Sequence, residues 1–398
     1  MGRVASLEAP NSLRKLRASA GTPLYVHLPF CAAKCHYCDF FSVAAEGHDR
    51  GAIIETILEE ARRFAPRSPR TLFFGGGTPS LLEGPELVRL LEELERICAW
   101  RASAGEVTLE CNPESLDLEK ARLLRRLGVN RLSIGFQSLD PATLQLFGRV
   151  HDVEQSFAAF EAARAAGFDN LNLDLIYAIP GQELERWEQD LTRILSLEPE
   201  HVSAYNLTFE EETLFAKWME EGRLKPQPEE RELAFFWRTR ELLARAGLDA
   251  YEISNFARSG RECRHNLNYW HNGEYLGIGP SAVSKIGHMR LGNVKGIQGY
   301  ARRIAEGPDA LVFGEEPEAL ARLGETWWLG LRLARGLSIE EALRRSDAPE
   351  GLVDPMPAVV ETLLGQGLLE RSAGRLRLSP SGLPLADHVA RQFLAAAG

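Results

Sequence analysis

Cysteine is scarce in this chain, with six in 398 residues, too few for the disulfide framework that staples small secreted domains. No apolar run approaches the ~18 uninterrupted residues a membrane-spanning helix needs. Basic residues are outnumbered, 46 Lys and Arg against 56 Asp and Glu, giving a formal net charge of −10. That balance disfavours nucleic acid as a partner, because phosphate contacts require a basic face. Residues Met1 to Gly21 carry Arg3, Arg14, Lys15 and Arg17 but no apolar core, so no secretory signal is expected there. The opening Met1-Gly2-Arg3-Val4-Ala5-Ser6 fits an acylation pattern that short sequences often match by chance. The expectation is a cytoplasmic chain whose thiols stay reduced. At this length it should hold one large domain and a smaller one.

Three of the cysteines lie together. Cys31, Cys35 and Cys38 form a CxxxCxxC run just after the apolar, strand-like Leu24 to Leu28. Cys98, Cys111 and Cys263 are scattered and make no second pair, which counts against zinc. Clustered thiolates suit an iron–sulfur cluster, which takes one thiolate per iron. A fourth local cysteine would stand at position 40, but that residue is Phe40. A four-iron cluster on three thiolates keeps one iron open to another ligand.

From residue 24 to about 206, strand-like and helix-like segments alternate. Strands are expected at 24–28, 71–74, 106–111, 130–135, 170–175 and 201–206, from apolar runs bounded by turn residues. Between them, Ile53–Phe64, Pro85–Trp100, Leu118–Leu127, Val153–Ala166 and Leu184–Leu197 repeat apolar residues three and four apart. A further helix at about 229–246 completes a sixth unit. This predicts an α/β fold, a partial (β/α)6 barrel, whose chemistry sits on loops at the C-terminal strand ends.

Those loops are rich in polar groups. After the second strand comes Gly75-Gly76-Gly77-Thr78-Pro79, a backbone that turns without Cβ interference. The third strand ends Glu110-Cys111-Asn112-Pro113, the fourth at Gln137, and the fifth holds Asp174. Arg149 follows in Gly148-Arg149-Val150-His151. Taken together they suit a zwitterionic, hydroxyl-bearing ligand, with Arg149 on its carboxylate, Glu110 on its ammonium, and Asp174 with Gln137 on sugar hydroxyls.

The order CxxxCxxC, GGGTP, ECNP, RLSIGFQS, GRVH, NLDLIYAIPGQ resembles the radical SAM superfamily, and within it the oxygen-independent coproporphyrinogen oxidase group. The resemblance spans roughly residues 24 to 385. It implies a 4Fe–4S cluster on Cys31, Cys35 and Cys38, whose open iron takes the amino and carboxylate groups of S-adenosylmethionine. It also implies that Tyr25, Tyr37, Gly76, Gly77, Thr78, Glu110, Gln137, Arg149 and Asp174 bind that nucleotide. The chemistry available to the superfamily is one-electron cleavage of the sulfonium to a deoxyadenosyl radical.

Two features choose a branch. The oxidases carry CxxxCxxCxC, where this chain has Phe40; and Cys263-Arg264-His265-Asn266-Leu267-Asn268-Tyr269-Trp270 contains HNxxYW, a mark of the HemW-type haem chaperones. That resemblance implies haem as cargo, with His265, Asn266, Tyr269 and Trp270 around it, Arg261 and Arg264 near its propionates, and Cys263 as a rival ligand. On residue types alone, a hydrogen-bonded loop with Trp270 in the core suits the segment better. Coproporphyrinogen oxidation and radical haem degradation with methyl transfer are the alternatives. The branch further implies haem-accepting respiratory proteins as partners, homodimerisation and loose membrane association.

Residues 207–230 form a long excursion after the sixth strand and are expected to cover the site. Beyond about 315 the pattern turns mainly helical. Thr326 to Gly336 is an amphipathic helix stopped by glycine, Gly367 to Ser379 a hairpin around Ala373-Gly374, and about 381–396 a last helix. This suggests a winged-helix-like domain, yet residues 340 to 398 hold six Arg, no Lys and eight acids, against a DNA-reading role. The expected organisation is an extension at 1–22, the barrel at 23–250, a connecting region at 251–315 and the C-terminal domain at 316–398.

Overall fold

A computed structural model describes residues 18–398. The acylation-like pattern and most of the 1–22 extension fall outside them. Six strands run parallel in chain order: β1 (Leu24–Leu28), β2 (Thr71–Gly76), β3 (Glu106–Cys111), β4 (Arg131–Gln137), β5 (Leu171–Tyr177) and β6 (His201–Asn206). The helices between them are α1 (Arg50–Phe64), α2 (Gly84–Cys98), α3 (Leu118–Arg126), α4 (Pro141–Phe147), α5 (Val153–Ala165) and α6 (Leu184–Leu195). The excursion after β6 contains α7 (Leu214–Glu220) and leads into α8 (Glu229–Arg245).

Alternation along each strand sorts the side chains into two sets. Leu24, Val26, Leu72, Phe74, Val107, Leu109, Leu132, Ile134, Leu171, Leu173 and Val202 are buried in one core with the helices. The α1 contribution to that core is Ile53, Ile54, Ile57, Leu58 and Ala61, an i, i+3/i+4 stripe, and its N-terminus is capped by Asp49. The intervening strand residues are mostly polar, and several bond to one another across the concave face. Asn172 donates to Ser133 Oγ at 2.6 Å and to Asp174 at 2.7 Å, and its oxygen meets His201 Nδ1 at 2.6 Å. The barrel interior is thus a polar network rather than a second apolar core.

The sheet is wider than six strands. β7 (Asp249–Ala250) and β8 (Asn255–Ala257) extend it antiparallel beyond β6, and β9 (Leu276–Ile278) pairs parallel with β1. The order β9-β1-β2-β3-β4-β5-β6-β8-β7 leaves the two ends unjoined, an open barrel. Residues 251–315 therefore supply strands to both edges. Between β8 and β9 lies α9 (Arg264–Trp270), which carries the HNxxYW run. A small antiparallel sheet follows, β10 (Val283–Ile286), β11 (Met289–Asn293) and β12 (Leu311–Glu315), with α10 (Ile297–Glu306). Buried Glu60 on α1 ties this part to the barrel, accepting from Tyr300 Oη at 2.5 Å, Asn293 Nδ2 at 2.7 Å and Gly279 N–H at 2.8 Å.

A second core, including Leu323, Trp327, Met356, Val360 and Phe393, belongs to the C-terminal domain. Its elements are α11 (Ala319–Arg332), α12 (Ile339–Ser346), α13 (Met356–Gly365), the hairpin β13 (Leu369–Ser372) and β14 (Arg375–Leu378), and α14 (Ala386–Ala396). Ala373 and Gly374 turn the hairpin with φ of 49° and 76°, the pair of positive φ values that a tight hairpin turn requires. Among the described residues no helix is long and apolar enough to cross a membrane.

Candidate functional site

The cysteine loop leaves β1 and is closed at its base. Phe30–Cys31 pairs with Val43–Ala44, and Ala45 N–H reaches Cys31 O at 2.9 Å. The glycine run zips along that base: Gly77 N–H donates to Leu28 O and Thr78 N–H to Phe30 O, both at 2.7 Å. Gly77 is required there, since a Cβ would stand 2.5 Å from Phe30 O. Gly76 has φ of 105°, a left-handed conformation side chains avoid. The outer part of the loop is held by His36. Its N–H and ring reach Phe147 O and Leu146 O at 3.0 and 2.8 Å, and its own carbonyl accepts from Phe215 N–H at 3.0 Å.

The excursion packs onto the loop from the side. Phe215 of α7 is fully buried with Phe147, Ile176 and Ile179, and Tyr37 lies against this cluster 4.8 Å from the Phe147 ring.

These parts enclose a cavity of about 560 Å³. Cys31, Cys35 and Cys38 line it with Tyr37, Gly76, Gly77, Thr78, Glu110, Gln137, Arg149 and Asp174. The remaining nucleotide residue expected from sequence, Tyr25, does not line this cavity. It faces an adjoining inner space of about 280 Å³ that it shares with Gly76, Glu110 and Asp174. Its hydroxyl donates to His27 Nδ1 at 3.1 Å, while His27 Nε2–H binds Phe41 O at 2.9 Å.

Donors are aimed at the sulfurs. Arg149 Nη1 lies 3.5 Å from Cys35 Sγ and Thr78 Oγ1 lies 3.6 Å from Cys31 Sγ. Burial pushes the Cys31 thiol up and that of Cys38 to about 11, and the neighbouring sulfurs add to both shifts. Raised thiols at Cys31 and Cys38, with Cys35 Sγ beside them, suit a cationic iron centre, which would hold the three sulfurs as thiolates. Among the described residues no three His, Cys, Asp or Glu side chains converge as ligands of a single ion would. A cluster differs, because each thiolate meets its own iron.

Glu110 and Asp174 are recessed carboxylates on the other wall. Burial, with Asp174 adding to it, pushes Glu110 up to about 8. Burial also raises Asp174, against the donors Ser133 at 2.9 Å and Asn172 at 2.7 Å. Gln137 ends β4 with φ of 63°, at a bulge where the pairing with β5 shifts. Asn112 was missed from sequence, although it stands beside Glu110 in the same motif. Its oxygen accepts from Arg149 Nη2 at 2.8 Å and its amide donates to Thr78 Oγ1 at 3.2 Å, so it positions both sulfur donors.

The HNxxYW segment is placed differently from the haem expectation. The Glu106 carboxylate accepts from the N–H groups of Arg264 and His265 at 2.8 and 3.0 Å, docking the start of α9 at the N-terminal ends of the strands. His265 is only 1% exposed, and both ring nitrogens are used, by Thr71 Oγ1 at 2.8 Å and Tyr269 Oη at 2.9 Å. It therefore presents no open nitrogen to an iron. Cys263 is buried against Glu106 and pushed up to about 12. Trp270 lies under Arg332, 5.0 Å from its ring, and Arg261 pairs with Asp169 at 3.3 Å. Asn266 faces the inner space, and Tyr269 reaches both that space and a groove beyond it.

The radical SAM superfamily model matches residues 25–194, and the HemN C-terminal domain model matches residues 319–385. The haem chaperone HemW of Bacillus subtilis is 35% identical over 375 residues, 93% of this chain and 98% of that protein. The HemW of Mycobacterium tuberculosis is 36% identical over 400 residues, 97% of this chain and 99% of that protein. The chain belongs to the HemW family of radical SAM proteins. In this family member the open-barrel architecture also matches the solved coproporphyrinogen III oxidase HemN of Escherichia coli, with a TM-score of 0.80 at 25% identity, covering 95% of this chain and 90% of that one. Radical SAM proteins carry a 4Fe–4S cluster and S-adenosylmethionine, and the thiols, sulfur donors and recessed carboxylates of the HemW-family cavity fit both.

Proposed function

We propose that this chain is a haem chaperone: it binds haem and delivers it to haem-requiring proteins, respiratory ones by the expectation of its family. The observation that carries this reading is the full-length similarity to HemW proteins, together with Phe40 in place of the oxidases' extra cysteine. Homodimerisation and loose contact with the membrane belong to the same proposal.

Cys31, Cys35 and Cys38 would hold the cluster, and Glu110, Asp174, Gln137 and Arg149 would orient the nucleotide beside it. When bound, that pair supplies one-electron cleavage of the sulfonium. The chain's own part is positional. Asn112 fixes the Arg149 guanidinium beside Cys35, Glu110 would accept hydrogens from the nucleotide's amino group, and α7 packs over the side of the loop.

The test is an anaerobic haemin titration of cluster-reconstituted protein, followed by transfer to an apo-haemoprotein. A stoichiometric Soret shift and transfer are expected; no stoichiometric binding would sink the proposal. The kinship in fold with HemN keeps a second reading open, radical decarboxylation of coproporphyrinogen III. Product above background in a parallel anaerobic assay would favour it instead.

A further inference from the structure

We infer that haem is held in the groove on the far side of Phe40, its two propionates on Lys34 and Lys295, and not on His265. This rests on the haem-chaperone reading and assigns its site. The groove has a volume of about 720 Å³, within the ~300–1,000 Å³ typical of small-molecule sites. Three units build it. The cysteine loop gives Lys34, Phe40 and Phe41, the segment around β9 to β11 gives Tyr275 and Lys295, and α11 gives Trp328.

Its walls suit a flat aromatic ligand. Phe40 is 65% exposed, a phenyl ring whose burial against an apolar ligand is favourable. Phe41, Tyr275 and Trp328 add further ring surface on the same lining.

The charges suit two carboxylates. In a chain of net charge −10, the groove carries four cations against three acids. Arg290 is taken by Glu315 and Glu325 at 2.6 and 2.7 Å, and Lys285 is turned onto the oxygens of Asn272. Lys34 and Lys295 have no hydrogen-bond or ion-pair partner among the described residues. The acids left over are Asp39 and Glu212.

The position is also informative. Phe40 lines this groove, the inner space and the cluster cavity alike, so one phenyl ring separates cargo from nucleotide. The inner space is too small for a macrocycle at about 280 Å³ and is lined by the polar barrel network.

The test titrates the full, cluster-reconstituted chain with haemin and with metal-free protoporphyrin IX, following the Soret band. Both ligands should bind the wild type. Lys34→Glu with Lys295→Glu should weaken both at least tenfold, and Phe40→Ala should weaken both, with iron content and thermal midpoint unchanged. Wild-type affinity in the double variant would overturn the assignment while leaving the chaperone reading intact. Binding of haemin without the metal-free porphyrin would also overturn it, since recognition would then rest on an iron ligand. If the wild type bound neither, the chaperone reading itself would fall.

Discussion

At the C-terminal ends of the parallel strands polar side chains are arranged around open space, whereas at the N-terminal ends they are arranged around one another. Thiols, Glu110, Gln137 and Arg149 line a cavity of about 560 Å³. At the opposite end Thr71, Glu106, His265 and Tyr269 form one bonded set and Asn172, His201 and Tyr251 another, with bonds of 2.6–3.0 Å that leave no free nitrogen on either imidazole. Both regions hold perturbed titratable groups, so perturbation alone does not mark a reactive site. What separates them is whether the groups line open space. The first end is built to receive something; the second closes the barrel.

The sharpest break in that comparison is at the thiols. Cys31→Ser, Cys35→Ser or Cys38→Ser should reduce iron and acid-labile sulfide to background after reconstitution, while Cys263→Ala keeps a full complement. The reverse pattern holds for stability. His265→Ala should lower it by roughly 2–4 kcal/mol in denaturant unfolding, from lost bonds and a cavity, with iron content unchanged. Loss of haem binding in that variant alone would therefore not identify a ligand.

Burial holds the His265 imidazole at about 3, below its ordinary 6.5. The unfolded chain thus takes up its proton first. The contribution is fully present above about pH 6.5 and is lost as pH falls from there, by at most about 1.4 kcal/mol per unit. His265→Gln should show a shallower acid slope than the wild type in pH-dependent unfolding.

At the receiving end, Glu110→Gln should weaken S-adenosylmethionine about tenfold to a hundredfold, the range for losing a charged hydrogen bond of ~1.5–3 kcal/mol. Because the empty site holds Glu110 near 8, it is neutral below that value. Wild-type affinity should rise with pH and level off above about 8, and the variant should lack this slope in calorimetric titrations. The smallest effect is expected at Phe40, where alanine should change stability by less than ~0.5 kcal/mol because the ring is exposed.

The receiving end was readable from sequence because its parts are local. The six strands start within a residue of their expected positions, since apolar alternation and turn residues announce them. The cysteine spacing and the strand-end polar residues needed no partner to be recognised. The supporting end depends on distant pairings that no local pattern encodes. His265 turns inward because Glu106, in sequence far away, docks its helix, and nothing within HNxxYW specifies that orientation. The strand β9 was hidden for a related reason: its three residues are too short for a periodic signal, and only pairing with β1 makes them a strand. Asn112 was overlooked because its partners, Arg149 and Thr78, come from two other loops.

The division between the two ends is tested most directly by titrating haemin into cluster-reconstituted His265→Gln protein, at a temperature where circular dichroism shows it folded. A Soret band at the wild-type position and an affinity within about twofold of wild type are predicted, alongside a lower thermal midpoint. A folded variant that has lost the band would contradict the account and restore His265 as the iron ligand.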